Sequence, residues 1–271
     1  MPVLQSATGR SWQHRSGRQR LIAWFGWLAL VALVVFAWQV MTRDTIWAFV
    51  ADAPRQAADI GERMFPPRWG YMERLWQPLW DTLNIATLGT LLALFVAVPV
   101  AFLAARNTTP SVRFVRPAAL LLIVASRSIN SLIWALLLVS ILGPGLLAGI
   151  LAIALRSIGF IGKLLYEAIE EIDASQVEAV AATGASGAQV LDYAIAPQIM
   201  PAFAGITVFR WDINIRESTV LGLVGAGGIG LELSHSLNTL AWPQVTLIFI
   251  VILGTVVLSE WVSARVRHAI I

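Results

Sequence analysis

EAIEEIDASQVEAVAATGASGAQVLDYAIAP, residues Glu167 to Pro197, is the polar stretch in the otherwise apolar second half of this chain. Asp173 stands ahead of a run of good helix formers with Gln176 three positions on, and Gly184 comes after the run; Ser186 with Gln189 then repeats the same capping pattern. The stretch therefore reads as two short helices joined by a tight turn at Gly184, the second stopped by Pro197. Ala179, Ala181, Ala182, Ala185 and Ala188 give those helices faces too small to form a core but suited to close approach by the surface of another protein. An amphipathic connection lying on a bilayer surface is the alternative that residue types alone leave open.

Working outward, the rest of the chain explains why such an island stands out. Its 271 residues are 58% hydrophobic and 13% charged, with a mean hydropathy of +0.74. That leaves too little polar surface to clothe a soluble globule, so the chain is a polytopic membrane protein. A net charge of +3 would point to nucleic acid in a soluble protein, but here the arginines cluster beside apolar spans, where membrane topology accounts for them and no nucleic acid is needed. The chain has no cysteine, and His14, His235 and His268 are scattered without ligand spacing, so neither disulfide nor metal chemistry is expected.

Residues 1–20 hold Arg10, Arg15, Arg18 and Arg20 without an acid, and an uncharged run over 21–41 comes next, long enough to cross about 30 Å of hydrocarbon. This reads as a first span with the N-terminus inside; a cleaved signal peptide fits less well, because the MTRDT after the run offers no small-x-small site. Residues 42–80 are polar, and Ile46, Phe49, Val50, Ala53, Ala57, Ile60 and Met64 recur at helical spacing, predicting an amphipathic helix on the outer surface. Trp69, Trp76 and Trp80 suit the headgroup level. Further spans are expected near 83–105, 117–141, from 146 to the island, from Pro197 to about Val220, and 241–260. Arg106, Arg113 and Arg116, and later Arg265 and Arg267, fall on the inner side with the island. Six spans put both termini inside.

Charges within spans are costly and face a bundle interior or a water-filled path, which singles out Arg127, Arg156, Arg210, Asp212, Arg216 and Glu217. Asp212 and Arg216 are four apart with the acid first, a self-neutralising arrangement, while Arg210, Asn214 and Glu217 share another face. Arg127 has no acid within helical reach in its own span and is flanked by Ser126, Ser128, Asn130 and Ser131, the donors and acceptors an anion would need. The substrate-path candidates are Arg127, Asn130, Ser131, Arg210, Asn214, Arg216 and Glu217. Gly225, Gly227 and Gly230 satisfy G-x-G-x-x-G, but no βαβ unit surrounds them and Ile250 stands where a ribose-binding acid belongs. With Gly228 they are expected to form an outer loop folded closely against other helices. No G-x-x-x-x-G-K-[ST] occurs, so the chain has no recognisable phosphate loop with which to hydrolyse ATP.

Glu178, Ala179, Gly184 and Pro197 together resemble the EAA loop of ABC importer permeases, with Val180 standing where a second alanine is usual. SIGFIGKLLYEAIEEID (Ser157 to Asp173) and NIRESTVLGLVGAGGIG (Asn214 to Gly230) look like the phosphonate and phosphite branch; the likeness runs from about residue 70 to the end. Relatives in that branch often carry an acid at the position of Ser131. The resemblance implies an all-α polytopic membrane protein with about six transmembrane helices, a permease core over 81–265, a cytoplasmic two-helix coupling (EAA) loop at about 167–197 and a cytoplasmic tail over 266–271. It implies a bacterial inner-membrane location and a homodimer of permease subunits forming the path. An ABC ATPase dimer would grip the coupling loops at Glu178, Ala179, Gly184 and Pro197, and an extracytoplasmic binding protein would deliver phosphonate, phosphite or a related oxyanion. ATP and Mg would sit on the ATPase, with no cofactor and no enzymatic activity on this chain. The rival class is an ion-coupled secondary transporter that uses the charges of the fifth span; a membrane-embedded enzyme lacks any nucleophile with a nearby base.

Overall fold

The structure, a computed structural model, describes residues 3–6, 9–12 and 17–270. Parts of the basic N-terminal segment, His14 and Arg15 among them, and the last residue of the expected tail lie outside the described residues.

Two units divide at residue 59. In the first, strands β1 (Val3–Ser6) and β2 (Gly9–Trp12) pair antiparallel. Helix α1 (Gly17–Thr42) buries none of its residues and is apolar on every side; its 26 residues span about 39 Å at 1.5 Å per residue, enough to cross hydrocarbon. The amphipathic helix predicted around 46–64 is α2 (Trp47–Met64), across whose length the boundary between the units falls.

After the last turn of α2 the second unit runs through a 3₁₀ turn at Trp69–Tyr71, α3 (Met72–Ala104), α4 (Val115–Ser128), α5 (Ser131–Leu142) and α6 (Leu146–Glu170). Then come α7 (Ala174–Ala182), α8 (Gly187–Val190), a π-helical turn at Leu191–Ile195, α9 (Ala196–Leu221), a 3₁₀ turn at Gly222–Val224, α10 (Ile229–Asn238) and α11 (Trp242–Ile270). Among the described residues four helical stretches are long and apolar enough to cross a membrane, or up to six if each of two bent pairs is one span.

The core of this unit is a seam of small residues. Ala86, Gly89, Ala93, Ala97, Ala101 and Ala104 recur every three or four positions along α3 and are all buried, facing the equally small Ala148, Gly149, Ala152 and Gly162 of α6. Hydrocarbon does not drive apolar helices together, so association depends on close backbone approach, which small side chains permit. A β-carbon on Gly89 would stand 2.7 Å from Ile153, and one on Gly159 would stand 2.5 Å from the Ile123 carbonyl of α4. At one end of the unit, Tyr71 and Leu75 pack with Ile229, Leu233, Val245 and Ile248; at the other, Ala101 and Ala105 pack with Leu165, Ile169, Ile195 and Ile199.

Three local expectations need correction. The third span is not one straight helix: α4 and α5 meet at 86°, because Ile129 is extended and Asn130 caps a new helix by accepting from the Leu132 N–H. Pro197 does not stop the second island helix, since the chain stays helical from Gly187 through a π turn into α9, and proline is tolerated in the first turn of a new helix, where its missing N–H is not needed. The outer glycine segment is a loop only as far as Gly228; Gly230 lies in the first turn of α10.

Gly228 has φ +74° and ψ −166°, a combination essentially reserved for glycine, and a β-carbon there would stand 2.6 Å from the Thr82 hydroxyl that receives the Ile229 N–H. Gly228→Ala should therefore destabilise the protein by about 1–3 kcal/mol. In detergent its thermal midpoint should fall, whereas Gly61→Ala, on open helix surface, should leave the midpoint level or raise it; equal midpoints for the two variants would contradict this account.

Candidate functional site

Burying polar groups among small apolar residues obliges them to find each other, and one connected network runs across α3, α5, α6 and α9. On α9, Arg210 is 2% exposed. Its Nε donates to Ser157 Oγ (2.9 Å), its Nη2 donates to Glu217 Oε2 (3.3 Å), and its guanidinium lies 5.0 Å from the centre of the Phe160 ring. Asn214 donates to Thr90 Oγ1 (2.7 Å) and to Ser157 Oγ (3.2 Å), tying α9 to α3 and α6. The other oxygen of Glu217 faces Arg156 Nη1 at 3.2 Å. That same nitrogen donates to Asn130 Oδ1 (3.1 Å) and Ser131 Oγ (3.3 Å) at the break between α4 and α5.

Of the candidate path residues, the structure thus brings Asn130, Ser131, Arg210, Asn214 and Glu217 together. Arg216 stands apart: it pairs with Asp212 on its own helix, and Ser259 of α11 donates to the second Asp212 oxygen at 2.7 Å. Arg127 also stands apart, exposed at the end of α4 with no side-chain partner among the described residues. Its serine neighbours are committed elsewhere. Ser126 donates to the Leu155 carbonyl and accepts the Gly159 N–H (2.8 Å), and Ser128 donates to the Val124 carbonyl (2.6 Å).

Sequence reasoning counted Arg156 among the intramembrane charges but left it off the path, and it missed Ser157 and Thr90. The criterion that selected Arg127, no acid within helical reach on its own span, applies equally to Arg156, and its acid lies on another helix. Nothing local marks Thr90 or Ser157 beyond their positions on the small-residue faces of α3 and α6.

The island takes the expected two-helix form. Asp173 accepts from the Ser175 hydroxyl (2.7 Å) and the Ser175 N–H (2.9 Å), bonds that hold its pKa below the ordinary carboxylate value, so the cap is ionised at any pH near neutrality. Ser186 and Gln189 form a reciprocal capping box, and Gly184 turns the chain with φ +83°. Val177 and Val190 pack back against the inner apolar cluster, leaving Glu178, Ala179, Ala182, Gly184, Ala188 and Pro197 exposed. Asp173 N–H donates to Gln198 Oε1 (2.8 Å), pinning the entry of the island to the start of α9. At the opposite end the glycine segment lies on its neighbours: Gly145 N–H donates to the Gly225 carbonyl (3.0 Å), and a β-carbon on Gly227 would stand 2.8 Å from Leu146.

Comparison with known proteins gives this arrangement a family. The binding-protein-dependent transport system inner membrane component family matches residues 97–268. The chain is 41% identical to the phosphite transport system permease protein PtxC of Stutzerimonas stutzeri, over 91% of this chain and 90% of that protein. It is 40% identical to the phosphate-import permease protein PhnE of Mycolicibacterium smegmatis, over 89% of this chain and 44% of that protein. Among solved structures, the inward-facing MetNI methionine ABC transporter superposes with a TM-score of 0.65 at 20% identity, over 75% of this chain and 99% of that one. A bacterial ABC transporter that imports alginate superposes with a TM-score of 0.58 at 18% identity, over 91% and 99%. At these identities the structural likeness speaks for the fold, and the sequence matches speak for the lineage: the chain belongs to the binding-protein-dependent transport system inner membrane components, the permease subunits of ABC transporters.

Proposed function

We propose that this chain is the membrane-embedded permease subunit of an ATP-driven importer for phosphite, a phosphonate or a related phosphorus oxyanion, set in a bacterial inner membrane. The observation that carries the reading is the 41% identity to a phosphite permease along nearly the whole length of both chains. The charge distribution supports it. Within the network Arg156 and Arg210 share the single carboxylate of Glu217, which leaves a local excess of positive charge suited to an anion.

The island is the grip for a separate ATPase dimer, which holds ATP and Mg, and it lies on the cytoplasmic side with both chain termini. A binding protein delivers the oxyanion at the opposite face, and a second copy of this chain completes the path. The island joins α6, which bears Arg156 and Ser157, directly to α9, which bears Arg210, Asn214 and Glu217. Displacing it therefore shifts the two helices whose side chains make up the polar network.

In vesicles holding the permease, its ATPase and its binding protein, phosphite uptake should persist when an ionophore collapses proton and sodium gradients and should stop with a non-hydrolysable ATP analogue. Uptake by this chain alone that tracks an imposed ion gradient and ignores ATP would overturn the reading. Gly184→Val, which forces a β-branched residue into a positive-φ turn, should weaken co-purification of the ATPase without impairing membrane insertion; wild-type recovery of the ATPase would contradict docking at this turn. Asp212→Asn combined with Arg216→Gln should be tolerated better than Arg216→Gln alone, which strands a buried carboxylate at a cost of about 1–3 kcal/mol. If the double variant instead loses ATP-driven uptake while still assembling, the Asp212–Arg216 pair belongs to the transport machinery and not to the scaffold.

A further inference from the structure

The Arg156–Glu217–Arg210 cluster holds two arginines against one carboxylate, and the two arginines are not equivalent. Arg210 is fixed on every side, by Ser157, Glu217 and the Phe160 ring, and is 2% exposed. The Arg156 side chain is 32% exposed, and only its Nη1 is engaged, by Glu217, Asn130 and Ser131. Its Nε and Nη2 have no acceptor among the described residues. Intramembrane charges that are not fully paired face water-filled cavities and mark ion or substrate pathways, so the open donors of Arg156 are placed where a passing anion can reach them.

We infer that Glu217 is an internal stand-in for the transported anion: its carboxylate holds the Arg156 guanidinium that a phosphorus oxyanion engages during passage, and Arg156 exchanges one for the other. This rests on the phosphorus-oxyanion reading above. The chemistry of the exchange is balanced, since the guanidinium fork presents the same donors to a carboxylate and to a phosphorus oxyanion, and no proton or bond need move. An anion reaching the open Nε and Nη2 of Arg156 draws that side chain from Glu217, which keeps its second partner, Arg210. When the anion leaves, Glu217 returns and pushes against its rebinding, so the site releases what it carries.

The exchange also has a structural consequence. Asn130 Oδ1 accepts at once from Arg156 Nη1 (3.1 Å), from the Ser131 hydroxyl (3.2 Å) and from the Leu132 N–H (3.1 Å) that starts α5. Movement of Arg156 therefore loosens the cap at the 86° break between α4 and α5, linking the presence of an anion to the angle of a broken span.

The test is equilibrium binding of radiolabelled phosphite to the purified permease–ATPase complex without binding protein, alongside ATP-driven phosphite uptake by the complete importer. Glu217→Gln removes the competitor and should bind phosphite about tenfold or more tightly than wild type, while uptake falls because release is slowed. Arg156→Gln leaves the Glu217–Arg210 pair intact, so it should assemble normally yet lose both binding and uptake. If Glu217→Gln fails to assemble, Glu217→Asp keeps the charge but loses the reach to both arginines, and it should show tighter binding in smaller measure. Binding by the Glu217 variants no tighter than wild type, or full uptake by Arg156→Gln, would reduce the cluster to a structural ion pair and overturn the inference. A wild-type importer that takes up no phosphite at all would instead strike at the substrate reading on which it rests.

Discussion

A guanidinium in hydrocarbon must be answered by protein, because nothing else there can accept its hydrogen bonds. Insertion of one arginine at mid-span costs about 3 kcal/mol even on the mildest scales. Arg156 and Arg210 meet that demand through Glu217, Ser157, Asn130 and Ser131, which come from three different helices. The helices must approach closely for such short side chains to reach one another. The alanine and glycine faces of α3 and α6, with Asn214 bridging Thr90 and Ser157, supply that approach. Small-residue packing and charge satisfaction are therefore two halves of one requirement, and each fails without the other.

The same requirement separates two kinds of charged residue in α9. Asp212 and Arg216 satisfy each other along one helix, with Ser259 completing the carboxylate, and so need nothing from a substrate. Arg210 and Glu217 look across to α6 and leave Arg156 with open donors. Net positive charge is thus concentrated where α5, α6 and α9 meet and at the exposed Arg127, in keeping with relatives whose names tie them to phosphite and phosphate.

Local chemistry was legible in the residue pattern wherever neighbours in sequence are neighbours in space. The cap at Asp173, the box of Ser186 with Gln189, the positive φ at Gly184 and the amphipathic face of α2 all lie within a helical turn of the residues that specify them. The Asp212–Arg216 pair, four apart, was legible for the same reason. What escaped was set across helices. Arg156 gave no hint that its acid is Glu217, and the break after Ser128 hid inside an apolar run whose only markers were Asn130 and its serine neighbours. Pro197 misled because proline at the start of a helix and proline after the end of one look alike in sequence, and only the π turn at Leu191–Ile195 shows the chain staying helical.

The island is tied to both α6 and α9, through the Asp173–Gln198 bond and the continuous helix from Gly187 onward, which is the connection the proposed coupling requires. Because the chain has no cysteine of its own, a single introduced thiol reports unambiguously on what touches this surface. The most direct measurement is cross-linking of the co-expressed ATPase from Ala188→Cys, on the exposed face of α8, compared with Pro144→Cys at the opposite end of α6. The account predicts an ATPase adduct from Ala188→Cys and none from Pro144→Cys. An adduct from Pro144→Cys with none from Ala188→Cys would contradict it.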